Sequence, residues 1–283
     1  MSLVGMDLGT SGVKVIVVNP DGAVLGGATE DYPLASPRPM WSEQDPEDWW
    51  AAIGKAVRRA LADAGVDGND VRGIGLSGQM VGLVALNSSG TPLRPCILWN
   101  DQRSAEVTEA LTERIGLDAI LAETSNPLFA SFVAPKVAWL REYEPDVHRR
   151  IATILMPKDY INYRLTGKIK TEVSDASGTC VFNVAERRWS ETMLEHLDIP
   201  PAWMPECLES NEITGRLGDE AAEATGLRAG TPVVAGAGDQ PAQALGCGIV
   251  RSGLCSVTIG TSGVVFAQTD SHLAHPEGLR HSF

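Results

Sequence analysis

One short glycine pattern occurs twice in the chain, about 250 residues apart. Asp-Leu-Gly-Thr-Ser-Gly-Val at 7–13 returns as Thr-Ile-Gly-Thr-Ser-Gly-Val at 258–264, and an apolar stretch flanks each copy on both sides. A strand, a glycine-rich turn and a second strand predict a β-hairpin. Two such hairpins so far apart indicate two related halves that the fold has to bring together. Because the second half would begin near residue 255 and the chain ends at Phe283, we expect it to be truncated.

The composition is that of an ordinary globular protein, and its charge disfavours one class of partner. The chain has 283 residues, 43% of them hydrophobic and 21% charged, and a formal net charge of -13. This acidic balance argues against nucleic acid as the main partner, because no basic surplus is available to displace counterions. A phosphate ligand remains compatible with it, since backbone N–H groups can hold a phosphate.

The sequence shows neither a membrane segment nor a disulfide framework. No apolar run approaches the roughly 20 residues that span a bilayer, so we expect no membrane partner. Residues 1–5 lack the charged start of a secretory signal. The cysteines are odd in number and none has C-x-x-C spacing, which predicts a reducing cytoplasm and mostly buried, apolar roles. They are Cys96, Cys180, Cys207, Cys247 and Cys255.

Strand and helix patterns alternate along the chain, which predicts an α/β fold. Apolar stretches that end in glycine or polar residues predict strands near 4–6, 13–18, 23–29, 71–76, 83–86, 96–98 and 233–235. Helical periodicity predicts helices that begin at Pro46, with Asp45 as N-cap, and at 104–115, 135–142, 157–165, 191–197, 219–225 and from 242 onward.

The first glycine hairpin is a candidate phosphate loop. Its backbone at 9–12 can approach a phosphate closely, and Thr10, Ser11 and Lys14 can add donors. Asp7 stands at the end of the preceding strand, where a carboxylate can face Mg²⁺ through water. A plain β-turn is the alternative for either copy alone. Since the pattern is repeated, one loop could hold one side of a polyphosphate and the other loop the opposite side.

Polar side chains also follow three later strands. Asp239 lies among glycines before a helix, where it could take a proton from a substrate hydroxyl or simply cap that helix before Pro241. Gln79 can hydrogen-bond hydroxyls in either sense, although a polar turn explains it equally well. Trp99 can stack on a sugar face or can be a core residue.

Other known motifs fail in this sequence. The glycines at 75–82 and 236–238 do not have the spacing of a dinucleotide-binding turn, so a dinucleotide-dependent oxidoreductase is disfavoured. The chain has neither G-x-x-x-x-G-K-[ST] nor G-x-S-x-G. His272 and His275 lack the glutamate of a metalloprotease helix and precede Pro276, which predicts a loop.

Eight motifs in one order resemble the FGGY carbohydrate kinases, closest to their xylulokinase branch. They are residues 7–11, 41–50, 77–80, 99–103, 158–160 with 165–167, 174–178, 236–240 and 260–263. The resemblance implies an actin-like ATPase (ribonuclease H-like) domain with a mixed sheet flanked by helices, plus the first hairpin of a second such domain. It implies a sugar-binding domain over 1–250 and the truncated start of an ATP-binding domain over 251–283.

The activity implied by the resemblance is ATP-dependent phosphorylation of a ketose or related polyol, of the D-xylulose type, with Mg²⁺. Asp239 would be the general base and Asp7 the second catalytic residue, and both would hold the metal. The substrate residues would be Gln79, Met80, Val81, Trp99, Asp239 and Gln240. The residues that bind the ATP phosphates would be Gly9, Thr10, Ser11, Lys14, Gly260, Thr261 and Ser262.

Two departures from the family pattern matter. Xylulokinases usually have His after Gln-Met, where this chain has Val81, so another ketose or polyol is an alternative to xylulose. The family's chain continues well beyond Phe283, and a fragment of this kind should keep sugar contacts but lack a complete ATP site. A catalytically incomplete sugar-binding module therefore remains the alternative function, and a homodimer stays open.

Overall fold

A computed structural model describes residues 1–259 and 263–283. Within these residues it has seventeen strands, ten α-helices and two short 3₁₀ helices at Gly68–Asp70 and Pro201–Trp203. The strands are β1 Ser2–Leu8, β2 Gly12–Val18, β3 Val24–Asp31, β4 Glu43–Gln44, β5 Val71–Gly78, β6 Val84–Leu86, β7 Cys96–Ile97, β8 Thr153–Leu155, β9 Lys170–Glu172, β10 Phe182–Asn183, β11 Arg188–Trp189, β12 Glu206–Leu208, β13 Ile213–Arg216, β14 Pro232–Val234, β15 Ala237–Gly238, β16 Cys255–Ile259 and β17 Gly263–Ala267. The helices are α1 Pro46–Ala64, α2 Ala105–Ile115, α3 Leu117–Thr124, α4 Val133–Tyr143, α5 Pro145–His148, α6 Pro157–Thr166, α7 Val173–Ser177, α8 Glu191–His196, α9 Asp219–Thr225 and α10 Asp239–Gly246.

The central sheet is mixed and has the strand order β13-β14-β5-β1-β2-β3, with β15 also paired to β5. Strands β1, β2 and β3 form an antiparallel meander, whereas β5 is parallel to β1, β14 and β15. Because the parallel strands β1, β5 and β15 all end at the same edge, the residues that follow them are brought together.

Helix α1 covers one face of the meander. Asp45 caps its first turn by accepting from the Glu47 N–H, and Gly65 ends it in the left-handed conformation, as the sequence predicts. The buried face of the helix includes Trp49 and Ile53. Contact with β3 is close, because a methyl group on Gly26 would lie 2.4 Å from the Ala64 nitrogen.

The apolar residues between α1 and the central sheet form one buried cluster. A second apolar cluster lies beside the sheet, under α2, α3, α4 and α8. It is built on buried residues such as Leu111, Ile120, Trp139 and Leu194 and includes Met80 and Val81, which follow β5. The end of β5 therefore lies where the two clusters meet, which places the residues after this strand between the sheet and the helical part.

The second glycine hairpin forms its own two-stranded antiparallel sheet, β16 with β17. Gln243 of α10 donates to the Thr258 hydroxyl at 3.2 Å, and Phe266 packs against Phe283 with ring centroids 5.6 Å apart. The chain then returns to the first domain, where Asn126 makes two hydrogen bonds to the backbone of Ser282. The hairpin is thus attached to the first domain at both ends.

Two expectations about local structure need correction. Helix α10 begins at Asp239 and not at residue 242, because the two-residue strand β15 ends at Gly238 and leads directly into it. Of the five free cysteines, only Cys96 and Cys180 are buried, while Cys247 and Cys255 are exposed. These two lie after α10 and at the start of β16, outside both apolar clusters.

Candidate active site

The site begins with three strand ends in register. Asp7 of β1 lies opposite Ser77 of β5, and Ser77 lies opposite Ala237 of β15. The Ser77 hydroxyl donates to Asp7 Oδ1 at 2.6 Å, which fixes this exposed carboxylate. Asp239 follows Ala237 by two residues, so the sheet brings together two acids that are far apart in sequence.

A bulge turns the chain toward Asp239. Val233 pairs with Ile74 of β5, and Ala237 pairs with Ser77 of the same strand. The chain therefore advances four residues where β5 advances three. The extra residue is accommodated around Gly236, which has a φ of 81°. A methyl group there would lie 2.1 Å from the Leu76 carbonyl oxygen, so the close approach requires glycine.

Asp239 is the first residue of α10 and does not cap it. Gly238 is the N-cap and no side chain makes a capping hydrogen bond, so the alternative of a simple N-cap role for Asp239 is wrong. Burial, and then the charge of Asp7, raise the pKa of Asp239 to about 6. A carboxylate with a pKa close to neutrality is a better proton acceptor than an ordinary one.

A cleft of about 550 Å³ opens beside these strand ends. Its lining includes Asp7, Ser77, Gly236 and Lys14, which is the cross-strand neighbour of Asp7 on β2. Leu245 of α10 closes one side, whereas Asp239 is not among the lining residues. The cleft therefore offers one exposed acid and one exposed base on the same strand pair.

Side chains from other parts of the protein hydrogen-bond the turn of the first glycine hairpin. The Thr10 carbonyl accepts from Gln44 Nε2 at 2.7 Å, the Thr10 hydroxyl accepts from the Trp99 indole at 2.9 Å, and the Gly9 carbonyl accepts from the Tyr32 hydroxyl. Because these two carbonyl oxygens accept hydrogen bonds from protein donors, their partial negative charge repels a bound phosphate less. Residues 9–12 form the turn that the sequence predicts, and Ser11 is exposed at its tip.

Gln79 lies next to that hairpin and is buried. Its backbone N–H donates to the Leu8 carbonyl at 2.8 Å, and its Nε2 donates to Gln44 Oε1 at 3.0 Å. Gln79 Oε1 has no hydrogen-bond partner among the described residues. A buried acceptor left without a donor is costly, and a ligand hydroxyl would remove that cost.

Met80 and Val81 follow Gln79 and are also buried. Met80 packs on the backbone before Asp239, where a methyl group on Gly238 would lie 2.5 Å from its sulfur. Val81 has a φ of 55°, an unusual value for a β-branched residue. The Gln79–Val81 turn, defined as residues 79–81, therefore touches both the first hairpin and β15, the strand that precedes Asp239.

Trp99 is half-buried, and its indole N–H is already used by Thr10. The residues after it hold a different segment in place. Asp101 accepts from the Ser42 N–H at 2.7 Å and pairs with the buried Arg103, which stacks 3.7 Å above the Trp41 ring centroid. This contact between distant motifs has no local sequence signal, because a D-x-R spacing does not reveal its partner.

A buried charge cluster lies behind the Asp239 strand, and sequence reasoning gave it no role. Lys158 Nζ lies 2.6 Å from Asp159, 3.2 Å from Asp175 and 3.7 Å from Glu172. It also donates to the Ala235 carbonyl at 3.1 Å. The only sequence signal was that Lys158-Asp159 and Ser174-Asp175 occur in motifs of the family pattern. The cluster ties α6 and α7 to the strand that leads to Asp239.

The residues present fit a magnesium ion that is shared with phosphates. The described residues, 1–259 and 263–283, contain no cluster of three or more His, Cys, Asp or Glu able to hold a metal by themselves. Mg²⁺ usually needs only one or two protein carboxylates, with phosphates and water completing its shell. Asp7 and Asp239 are close enough for the charge of one to raise the pKa of the other, and a cation would relieve that repulsion.

The bend of the second hairpin cannot be compared with the first. Gly260, Thr261 and Ser262, the expected phosphate ligands there, lie outside the described residues. Strands β16 and β17 on either side are described and pair in register from Cys255 and Ala267 to Ile259 and Gly263.

Comparison with known proteins gives the family. The model of the FGGY family of carbohydrate kinases, N-terminal domain, matches residues 2–246. The chain belongs to the FGGY family of carbohydrate kinases. Xylulose kinase of Escherichia coli strain K12 is 44% identical over 280 residues, which are 99% of this chain and 57% of that protein. Xylulose kinase of Klebsiella pneumoniae is 40% identical with the same coverage.

A solved structure supports the same assignment. The crystal structure of xylulose kinase from Rhodospirillum rubrum superposes with a TM-score of 0.94 and 30% sequence identity. The match covers 98% of this chain and 57% of the Rhodospirillum rubrum chain. The predicted actin-like α/β fold is therefore confirmed. The chain spans little more than half the length of these FGGY relatives. Over the described part of the chain, none of the helices has the length and apolar character that a bilayer crossing needs.

Proposed function

We propose that this FGGY chain is the sugar-binding part of an ATP-dependent kinase that phosphorylates a ketose or related polyol, with Asp239 as the general base. The observation that carries the proposal is the convergence of Asp7, Ser77 and Asp239 at the ends of β1, β5 and β15. Relatives named xylulose kinase make D-xylulose the first sugar to test.

The proton transfer follows from the environment of Asp239. Its carboxylate accepts the proton of the substrate hydroxyl as that oxygen forms a bond to the γ-phosphorus of ATP and the bond from phosphorus to the ADP oxygen breaks. A pKa of about 6 leaves Asp239 ionised at neutral pH and still basic enough to assist this step. Bound Mg²⁺, held by Asp7 and Asp239, would neutralise phosphate charge.

The remaining polar groups bind and orient the substrates. Lys14 stands beside Asp7 and can neutralise a phosphate, and the Gly9, Thr10 and Ser11 turn can donate its N–H groups. The second bend would act on the opposite side of the nucleotide through Gly260, Thr261 and Ser262.

The sugar would lie against the Gln79–Val81 turn, Trp99 and Gln240. Gln79 Oε1 is an acceptor that awaits a hydroxyl donor. Because Val81 supplies an apolar side chain, a sugar or polyol without a hydroxyl at that point would be accepted at least as well as xylulose.

Five free cysteines fit a reducing cytoplasm, where ATP is available. A homodimer stays an untested prediction.

The test is ketose-dependent ADP release by the full-length protein across a panel of ketoses and polyols, including D-xylulose. We expect turnover with at least one of these sugars and binding of the same sugar without ATP. Sugar binding with no turnover on any member would favour the incomplete sugar-binding module instead. Absence of both would contradict the proposal.

A further inference from the structure

Lys136 of α4 is a fully buried lysine whose Nζ contacts two carbonyl groups. Its Nζ donates to the Val81 carbonyl at 2.7 Å and to the Ser131 carbonyl at 2.6 Å. Within residues 1–259 and 263–283 it forms no salt bridge, in contrast to Lys158, the other fully buried lysine. Burying an amine without a salt-bridge partner is costly, and burial lowers the pKa of Lys136 to about 7. The two carbonyl groups are the acceptors that satisfy its donors there.

One of these two hydrogen bonds acts on the backbone of residue 81. Val81 has a φ of 55°, where a β-branched side chain is strained, and its peptide carbonyl is the group that Lys136 holds. The valine side chain is directed at Gly178, where an added methyl group would lie 2.3 Å from Val81 Cγ1. A strained conformation of this kind persists only where its surroundings enforce it.

The turn at residues 79–81 is anchored by a hydrogen bond at each of its ends. Gln79 is fixed at one end by its N–H bond to the Leu8 carbonyl. At the other end, the Lys136 bond is the side-chain hydrogen bond that holds the Val81 carbonyl. Between the two anchors lies Met80, which packs on Gly238 next to Asp239.

We propose that Lys136 is a positioning residue that holds residue 81 in its left-handed conformation and thereby fixes the Gln79–Val81 turn for sugar binding. The second half of this statement rests on the proposed function, and the first half does not. A merely structural lysine would support α4 through Ser131 and would have no specific effect on the sugar.

The experiment is a double-mutant cycle in the full-length protein with Lys136→Met and Val81→Gly. Methionine keeps the length of the side chain and removes its donors, whereas glycine adopts a positive φ at little cost. Val137→Ala, at the next buried position of α4, is the control for a general loss of packing. For each variant, sugar KM, kcat and urea-induced unfolding are measured.

We expect Lys136→Met to raise the sugar KM on the order of tenfold, the change in affinity that follows from loss of about one hydrogen bond to the sugar. The change in kcat should be smaller. Val81→Gly should restore much of the lost sugar affinity in the double variant, and the two substitutions should also be non-additive in unfolding. Val137→Ala should lower stability without changing KM.

Additive effects in unfolding would overturn the proposal, and so would a Lys136→Met protein with unchanged sugar KM. If the wild type phosphorylates no sugar, the proposed function fails, but the unfolding cycle still tests the contact between Lys136 and residue 81. If Lys136→Met does not fold, Lys136→Leu, which also removes the donors, replaces it in the same cycle with the same criteria.

Discussion

Asp239 acquires its chemistry from its neighbours more than from its own side chain. The bulge at Gly236 brings it to the strand edge, and Asp7 then raises its pKa by charge repulsion in addition to burial. The sequence gives the residue type and a glycine-rich setting. The distance to Asp7 depends on the register of β1, β5 and β15, which no local pattern encodes.

His281 gives a prediction about stability at low pH. It is half-buried, its ring lies 4.9 Å from Phe132, and its Nε2 lies 3.0 Å from the Ser177 hydroxyl. Burial lowers the pKa of His281 to about 4, so the folded state binds its proton less readily than the unfolded state. The stability from the neutral ring is complete above about pH 6.5 and is lost as the pH falls toward 4, at most about 3 kcal/mol.

The matched variant is His281→Gln, which keeps a polar group near Ser177 and does not titrate. Urea unfolding at pH 7.5 and at pH 5 should show that the variant loses less stability than the wild type on acidification. Equal losses in the two proteins would mean that His281 is not buried in its neutral form.

Asp175 leads to the opposite pH dependence. It shares Lys158 with Asp159 and Glu172, and both of its carboxylate oxygens lack a hydrogen-bond partner among the described residues. Burial raises the pKa of Asp175 well above its ordinary value, with Lys158 opposing the shift. Its contribution to stability is therefore present at low pH and is lost as the pH rises from about 4 through the raised pKa.

Asp175→Asn imitates the protonated acid at every pH. We expect its stability relative to the wild type to increase between pH 5 and pH 8 in urea unfolding. A stability difference that does not change with pH, or one that decreases, would contradict the raised pKa of Asp175. Asp198→Asn, at an exposed surface pair with Arg141, serves as the control.

At the scale of elements, the strand break before Asp239 is the feature that sequence patterns missed. Apolar residues at 233–235 predict one strand, whereas the chain forms β14 and β15 with a bulge between them. A strand of two residues has no periodicity to detect. Helix α1 was predictable, because its cap, first-turn proline and apolar face are all local signals.

Gly236 and Gly230 form a matched pair for testing this bulge. Both have positive φ values, 81° and 83°, but a methyl group would meet the Leu76 carbonyl at Gly236 and nothing within 4 Å at Gly230. Gly230→Ala should lower the free energy of unfolding by about 1 kcal/mol. Gly236→Ala should lower it by about 2 to 5 kcal/mol, because steric overlap is added to the strain.

The kcat of the same two variants shows whether the bulge positions Asp239 or only contributes to the stability of the fold. Gly236→Ala should reduce kcat well below that of Gly230→Ala at a temperature where both are folded, since it displaces Asp239. Similar kcat values in the two variants would show that the bulge does not position the base. Circular dichroism melting monitors folding in the same samples.

At the scale of the whole molecule, the order of the motifs predicted the family and the fold, whereas no pattern predicted the contacts that join distant parts of the chain. The mixed sheet, the family and the second hairpin follow from motif order. The links that attach that hairpin, from Gln243 to Thr258 and from Asn126 to Ser282, join residues without any pattern in common. The buried Asp101–Arg103 and Lys158 clusters escaped prediction for the same reason, because their partners lie far away in the chain.

The most direct test of the account compares full-length protein carrying Asp239 with the Asp239→Asn variant, using ketose-dependent ADP release together with calorimetric sugar binding. The amide keeps the shape of the side chain and cannot accept the proton. We predict that kcat falls by about 10² to 10⁴, the usual contribution of a general base, while the sugar still binds. Turnover near that of the wild type would contradict the assignment of Asp239 as the base on which the account depends.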